Sequence, residues 1–589
     1  MCVWGRRIKN ASRGAVKCNC REENISLSSS GIFCSIFFIF IFFGFKFFML
    51  FNHMMDSITI LLSLLAGASS ATTAVELKDI NLIITTDTHG WVASHSHSDN
   101  DPLLTANYGD VASFVSHVKD QAINSGRGDV FFVNNGDHVE GSGLSDATLY
   151  TSAKIHGAEL FPIISQMPFD VLTIGNHDLY DDETVGFMVE SGFIGNWDGH
   201  YLTSNTFSSN DHSRIGSPYI ILEGEVKHQK VMFFGFLYHM KDSCGTITVT
   251  DPADEVKEDW FISALAEGKA QNVSAIVVMS HMDLVDDAVS VILKAIRALD
   301  PSIAVQFVTG HTHYRGFKKL DSRASTFEAG HYLDTVGLLT LDVPSTTAPE
   351  EEEIWFNYRY IDANKKTLMS SVGMGDDEAS FDTSLGLAIA QSTDAAKTKL
   401  GLDEVLACVP KIYKYGVDVE DENSLYKLYM NEILPRGVNG EAETETETET
   451  ETDYVHITST GTLRYDLYED FRYDDVFAIA PFANTFCFID NVAGEEIDSL
   501  LKLLNVNVGV GEEAELPKFI TSNYTSDGGS LKMFLNNYDQ GVLVVNLAEL
   551  RGVAVEEIVV VNWRADKGSD TFTDTTLVWK SGVSALFPC

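Results

Sequence analysis

Five short stretches of this chain gather residue types that bind divalent cations. They are Asp87-Thr88-His89-Gly90, Gly136-Asp137-His138, Gly175-Asn176-His177-Asp178, the single His281, and Gly310-His311-Thr312-His313. Imidazole and carboxylate together suit zinc, manganese or iron, and the lack of thiolate among them argues against a purely structural zinc site. Asp-x-His lets one turn deliver two donors to one ion, whereas the two rings of His-x-His project apart and can face two ions. Two divalent cations sharing a carboxylate can polarise a phosphoryl oxygen and activate water. Any one of these patterns alone is better explained by a buried histidine satisfied through hydrogen bonds. All five, in the same structural position, need a common cause.

That shared position is the end of a strand. The apolar runs NLIITT (81–86), DVFFVNN (129–135), FDVLTIG (169–175), AIVVMS (275–280) and AVQFVTG (304–310) read as buried strands, and each runs directly into one of the five stretches. KVMFFGF (230–236) reads as a further strand. Open α/β sheets place their sites at the carboxyl ends of strands. Between the strands, YGDVASFVSHVKDQAI and DDAVSVILKAIRAL carry apolar residues at helical spacing, so the rhythm is that of an α/β domain. Near residue 345 the sequence TTAPEEEE marks an exposed boundary, and the alanine-rich stretch 376–400 predicts a connecting helix. The Glu/Thr tract within 440–453 repels itself and is expected to be a disordered loop. The expected organisation is therefore a leader over 1–74, a catalytic domain over 75–345, a linker and helix over 346–400, and a second α/β unit over 401–589.

Length and charge bound the partners. A chain of 589 residues exceeds one ordinary core, which predicts two domains plus tails. With 84 acidic against 41 basic residues the formal charge is −43, which excludes a protein that coats a nucleic-acid polymer. A small phosphate ester remains compatible if metal ions supply local positive charge. Cys244, Cys408, Cys487 and Cys589 are dispersed through the body, with no Cys-x-x-Cys, and make two disulfides in an oxidising compartment or none in a reducing one. Residues 31–51 are almost wholly apolar and long enough to cross a bilayer, and 57–74 have the anatomy of a cleaved secretory signal. The preferred reading is translation from Met54 or Met55, with 1–53 an upstream extension of the gene; the rival is a signal-anchor at 31–51 that would hold the protein on a membrane. Either places the body in the secretory pathway, at an extracellular, cell-surface or vacuolar or lumenal location. The sequons at Asn272 and Asn523 are compatible with glycosylation there.

The order Asp-x-His, Gly-Asp, Gly-Asn-His-Asp, His, Gly-His-x-His resembles that of calcineurin-like metallophosphoesterases of the 5′-nucleotidase family, over nearly the whole body. The resemblance implies a four-layer αββα sandwich with a second, smaller α/β domain, and hydrolysis by two-metal-activated hydroxide attack. It implies Asp87, His89, Asp137 and His313 around one divalent ion, and Asp137, Asn176, His281 and His311 around the other, with Asp137 bridging. His177 matches the family's non-ligand histidine, which stabilises the phosphoryl transition state and can protonate the leaving oxygen. The family's nucleotidases carry an aspartate three residues after that histidine. Here the position is Tyr180, which leaves Asp178 or Asp181 to orient His177, with Asp178 the catalytic candidate. His95 and His97, in SHSHSDND, read as a solvated loop.

The resemblance also implies how substrate is held. The family clamps a nucleoside between two rings, one in Pro-Phe-Gly-Asn and one four residues before Gly-Gly-Asp. The matching positions are Pro481-Phe482-Ala483-Asn484 and Tyr524, ahead of Gly528-Gly529-Ser530. Substrate contacts are thus expected from Phe482, Asn484, Tyr524 and Arg464, the one arginine retained in Thr460-Gly461-Thr462-Leu463-Arg464. The arginine pair that usually precedes that segment is missing, and Lys427 is the only base in VEDENSLYKLYMNEIL. The expected activity is release of phosphate from nucleotides. The alternatives are a metallophosphatase or phosphodiesterase for another phosphate ester and, from a different class, a non-catalytic metal-binding scaffold.

Overall fold

The computed structural model describes residues 75–95, 97, 104–343, 353–434, 454–482, 486–505, 517–523, 530–536 and, near the carboxyl end, 548, 550, 561–562, 580, 583–584 and 586–589. The apolar segments 31–51 and 57–74 and the acidic tract at 440–453 lie outside the described residues. Among the described residues, no helix is long and apolar enough to cross a membrane.

Two six-stranded sheets form the centre. The first contains β1 (Ile80–Thr85), β2 (Asp129–Asn134), β3 (Val171–Thr173) and β4 (Tyr201–Leu202). The second contains β5 (Tyr219–Glu223), β6 (Lys230–Leu237), β7 (Ala275–His281), β8 (Ala304–Thr309), β9 (Arg315–Asp321) and β10 (Ala324–Ala329). The chain then returns to the first sheet with β11 (Thr335–Leu341) and β12 (Phe356–Asp362). The strand orders are β12-β11-β1-β2-β3-β4 and β9-β10-β8-β7-β6-β5. β1 to β4 are mutually parallel, as are β6, β7, β8 and β10, so both sets of carboxyl ends are available to build one site. β12 falls inside the stretch expected to be a linker and instead forms the edge of the first sheet.

Side-chain alternation makes the layers. Ile80, Leu82 and Ile84 of β1 and Phe131 and Val133 of β2 pack with Val231, Phe233, Val277, Met279 and Val308 between the sheets. Their neighbours Ile83 and Phe132 turn the other way into a core shared with α1 (Tyr108–Ser125). Met232, Phe234 and Phe236 likewise face α2 (Asp259–Ala270) and α3 (Asp287–Leu299) on the outer side of the second sheet. A period of two on strands buried on both faces reads as a continuous apolar run, and each large side chain so buried contributes about 1.5–3 kcal/mol. The result is helix, sheet, sheet, helix. The alanine-rich stretch forms α4 (Ser384–Leu400), started by a Thr383 cap and ended at Gly401 in the left-handed conformation.

The carboxyl-terminal part has its own five-stranded sheet, in the order Phe519–Thr521, Tyr454–Ser459, Ser530–Asn536, Phe486–Ala493, Val561–Asn562. Helix Gly494–Leu504 covers it through Ile497 and Leu500. α5 (Tyr473–Ile479) packs against the Gly143–Asp146 turn of the sandwich, where Gly143 N–H donates to Asp474 Oδ1 at 2.7 Å. Cys408 and Cys589 form a disulfide across 181 residues of sequence, and Cys244 is free and buried.

The histidines expected in a solvated loop are buried at this junction. His95 Nε2 donates to Tyr332 O at 2.7 Å, and its ring lies 4.2 Å from Trp91. His97 Nε2 lies 3.0 Å from both carboxylate oxygens of Asp475, its Nδ1 is 3.3 Å from Asp470, and its ring stacks on Tyr468 at 4.2 Å. Serine and aspartate neighbours made the segment look solvated; the partners that bury it lie nearly four hundred residues later. Asp475→Ala leaves the His97 ring without its buried partner and should lower the unfolding free energy by about 1–3 kcal/mol in a urea titration; a change within about 0.3 kcal/mol would show that the pair is open to water.

Candidate active site

Strand register sets the candidate ligands level with one another. Thr85 lies opposite Asn134, so the turns after β1 and β2 leave together. Asp87 N–H donates to Gly136 O at 3.1 Å and His89 N–H to Asp137 O at 3.0 Å. In the second sheet Val308 lies opposite Met279, and Gly310 N–H donates to Met282 O at 3.2 Å. The donors of β1, β2 and β3 therefore meet those of β7 and β8 across the gap between the sheets.

His89 Nε2 is 3.2 Å from His313 Nε2 and 3.5 Å from Asp137 Oδ2. His281 Nε2 is 3.1 Å from Asp137 Oδ2 and 3.8 Å from Asp87 Oδ1, and His313 Nε2 is 3.6 Å from Asp87 Oδ1. Asn176 Oδ1 accepts from His311 Nδ1 at 2.8 Å. Two groups stand out, Asp87 with His89 and His313, and Asp137 with His281 and His311, each with donor atoms within 4.8 Å of one another; His89, Asp137 and His177 form an overlapping third.

These groups fit divalent cations. Asp137 Oδ2 and His281 Nε2 are buried 3.1 Å apart, yet among the described residues neither makes a hydrogen bond of good geometry, a costly state for polar atoms. Burial lowers the pKa of His89 to about 3, so its ring is neutral. Its Nδ1–H donates to the carbonyls of Val139 (2.9 Å) and Glu140 (2.7 Å), which turns the Nε2 lone pair toward the carboxylates. Burial also raises Asp87 to about 6, with His281 opposing and Asp137 adding. For His281, burial lowers the pKa, but Asp137 and Asp87 outweigh it and raise it to about 10. The pocket demands positive charge.

The backbone is held in strained conformations to achieve this. Asp87, His89, Asp137, His311 and His313 all have φ between 47° and 74°, in the left-handed region that costs a non-glycine residue about 1–2 kcal/mol. Glu328 supports the last two: its buried carboxylate accepts from Thr312 Oγ1 at 2.8 Å and Tyr314 N–H at 3.1 Å. Two motif glycines are explained by close approach. A Cβ on Gly175 would lie 2.0 Å from Asp137 Oδ1, and one on Gly310 would lie 2.6 Å from Asp87 Oδ2.

Asp178 does not reach His177. Its carboxylate accepts from His138 N–H (2.9 Å), His138 Nδ1 (2.9 Å) and Gly175 N–H (3.0 Å), tying the β2 and β3 turns together. Asp181 is likewise engaged elsewhere, capping helix Asp182–Glu190 through Thr184 N–H at 2.8 Å. The carboxylate on His177 belongs to Glu140, whose Oε2 lies 2.5 Å from Nδ1. Glu140 follows Asp137 by three residues on the same turn; its presence in Gly-Asp-His-Val-Glu-Gly was the one local signal. Tyr180 fills the family's aspartate position with an aromatic ring, edge-on to His177 at 5.3 Å, its hydroxyl accepting from Asn176 Nδ2 at 3.1 Å. His331 was also not foreseen and stacks on His313 at 4.5 Å.

Of the expected substrate contacts, Asn484 and Tyr524 lie outside the described residues. Arg464 and Phe482 lie together beside His177. The Arg464 guanidinium is 5.0 Å from the Phe482 ring centre, and that ring is 6.0 Å from the His177 ring, inclined by 28°. Arg464 Nε donates to Gly461 O at 2.8 Å, which orients the guanidinium.

Known proteins resemble this chain in sequence and fold. Residues 80–315 match the family model for calcineurin-like phosphoesterases, and 412–532 match the carboxyl-terminal domain of NAD nucleotidase. The chain is 31% identical over 433 residues to an uncharacterized protein of Saccharomyces cerevisiae, covering 70% of this chain and 68% of that one. It is 28% identical over 474 residues to a protein of Arthroderma benhamiae named a secreted protein, covering 73% and 68% of the two. A crystal structure of the 5′-nucleotidase of Candida albicans shares the fold with a TM-score of 0.74, at 24% identity, over 87% of this chain and 99% of that one.

Gly175→Ala should displace the Asp137 carboxylate and reduce bound metal at least about tenfold by elemental analysis, each tenfold being about 1.4 kcal/mol. Gly186→Ala, where a Cβ meets nothing within 4 Å, should leave metal content unchanged. A pH effect follows from His156, whose Nδ1 is 3.0 Å from Asp146 Oδ1. Burial lowers its pKa, but Asp146, with Glu140 and Asp181, raises it from 6.5 to about 9. A raised histidine pKa contributes stability that is complete below 6.5 and lost as pH rises through about 9. Thermal unfolding of the native chain should therefore weaken relative to His156→Gln across that window; parallel curves would contradict the assignment.

Proposed function

Because the chain belongs to the calcineurin-like phosphoesterases, hydrolases of phosphoric esters, we propose that it is a nucleotidase that releases inorganic phosphate from nucleotides. The observation that carries the nucleotide reading is the pairing of Phe482 and Arg464 beside His177. An aromatic face next to a guanidinium fork suits a base or sugar joined to a phosphate; stacking contributes about 1–3 kcal/mol per base, and a guanidinium grips phosphate oxygens in pairs. Asp87, His89, Asp137 and His313 would hold one divalent cation, and Asp137, Asn176, His281 and His311 the other. Bound there, zinc, manganese or iron ions would neutralise phosphoryl charge and activate the attacking water. His177 contributes a ring nitrogen at the edge of this centre, where it can stabilise charge on the phosphoryl group or give a proton to the leaving oxygen.

A second reading, hydrolysis of another phosphate mono- or diester, draws on the missing arginine pair, in whose segment Lys427 is the only base. Its Nζ is engaged by Glu420, at 3.1 Å from the carbonyl and 3.4 Å from the carboxylate, so it does not replace the missing arginine pair. For location, the Cys408–Cys589 disulfide and the secreted name of the Arthroderma benhamiae relative support passage through the secretory pathway.

The deciding measurement is phosphate release from adenosine 5′-monophosphate, p-nitrophenyl phosphate and bis-p-nitrophenyl phosphate with Zn²⁺, Mn²⁺ or Mg²⁺. Chelation should abolish activity. Phe482→Ala should raise KM for the nucleotide about 10-fold or more, as loss of one stacking contact requires, and leave the aryl esters within about twofold. Equal turnover of all three, indifferent to Phe482→Ala, would remove the nucleotide assignment and leave the phosphoesterase.

A further inference from the structure

The family position for the carboxylate that orients the active-site histidine is occupied here by Tyr180, yet the histidine is not without one. We infer that Glu140, delivered from the β2 turn, is the positioning residue for His177, and that His156 and Asp146 behind it form a four-residue chain that fixes its place.

The distances are continuous. Glu140 Oε2 is 2.5 Å from His177 Nδ1, Glu140 Oε1 is 3.6 Å from His156 Nε2, and His156 Nδ1 is 3.0 Å from Asp146 Oδ1. Asp146 is only 1% exposed and is bound on its other side as well: Oδ2 accepts from Gly141 N–H at 2.8 Å, and Oδ1 accepts from Ser145 Oγ at 2.5 Å. Ser145 Oγ in turn accepts from Glu140 N–H at 2.9 Å, so the same network that anchors His156 also anchors the Glu140 backbone. Glu140 has φ 63°, a left-handed conformation that a glutamate adopts only when its surroundings hold it there. Both carboxylate oxygens face imidazole nitrogens, one hydrogen-bonded to His177 and the other within ion-pair range of His156, which opposes the carboxylate's swinging away from His177 when substrate arrives. With Nδ1 committed to Glu140, Nε2 is the nitrogen turned to substrate. The logic is that of a carboxylate orienting a histidine in any acid–base pair, with a second histidine and carboxylate added as a brace.

The inference rests on the phosphoryl-transfer reading for its kinetic consequence but not for its structural one. Kinetically, Glu140→Gln should leave KM and metal content within about twofold. It should lower kcat about 100-fold on esters with alkoxide leaving groups, such as nucleoside or alkyl phosphates, and less than about 10-fold on p-nitrophenyl phosphate, which needs little protonation. His156→Gln should show the same pattern at about a tenfold loss, and Glu140→Asp should recover part of it. Equal losses on both ester types would mean a merely structural role and overturn the inference, as would a Glu140→Gln enzyme that keeps full activity. Structurally, a far-downfield imidazole proton assigned to His177 Nδ1 by histidine-selective NMR should be present in the native chain and vanish in Glu140→Gln. Its persistence in that variant overturns the inference whatever the activity. Its loss, in a protein that hydrolyses no ester, would uphold the chain of contacts and reject the proposed function instead.

Discussion

Two carboxylates buried side by side govern this structure. Asp87 and Asp137 stand at the ends of adjacent parallel strands, each essentially removed from water. Like charges about 4 Å apart near a protein surface repel by about 4 kcal/mol, a large fraction of the 5–15 kcal/mol that holds a domain together. Such a pair persists only with positive charge beside it or a proton on one member, and burial, with Asp137 adding, already raises Asp87 to about 6. The histidines from the other sheet, the rings turned by backbone carbonyls and the pocket shape all answer that requirement. The left-handed turns are its mechanical side, since an ordinary strand exit would send these side chains apart.

The site therefore draws on both layers of the sandwich. β1, β2 and β3 supply Asp87, His89, Asp137 and Asn176, while β7 and β8 supply His281, His311 and His313. Neither sheet alone contains both candidate groups. The carboxyl-terminal part sets a cation and an aromatic face, Arg464 and Phe482, beside His177. In a chain of formal charge −43, Arg464 is a local positive charge beside a carboxylate-rich pocket.

Much of the candidate site was legible in the sequence, because a period-two apolar run ending in Asp-x-His or His-x-His states both where a strand stops and what it carries. The strands at 129, 230, 275 and 304 begin where the apolar runs do. What could not be read depended on pairs remote in sequence. Asp178 looked like the partner of the histidine beside it, but its neighbours in space are His138 and the Gly175 amide. Glu140 was invisible as a partner because the family's aspartate sits elsewhere in the chain. His95 and His97 looked wet because nothing local marked Tyr465, Tyr468 or Asp475 as their cover. β12 was hidden by the acidic run before it, which suggested a linker where the chain in fact returns to the first sheet. Four dispersed cysteines left the pairing open, and the bond between Cys408 and the final residue reflects tertiary closeness alone.

The packing between the sheets has one more consequence. Ile84, Val133, Met279 and Val308, all fully buried, pack between the sheets close in sequence to the candidate cation ligands. The centre thus has an apolar back wall, and among the described residues its open side is the one where Tyr180, Phe482 and the partly exposed His311 and His313 lie. Anything released there must depart by the door through which the next molecule comes. On the nucleotidase reading proposed above, orthophosphate, which keeps the charge and shape of the group it was cut from, would contend with fresh ester for the same berth, and turnover would slow as it accumulates.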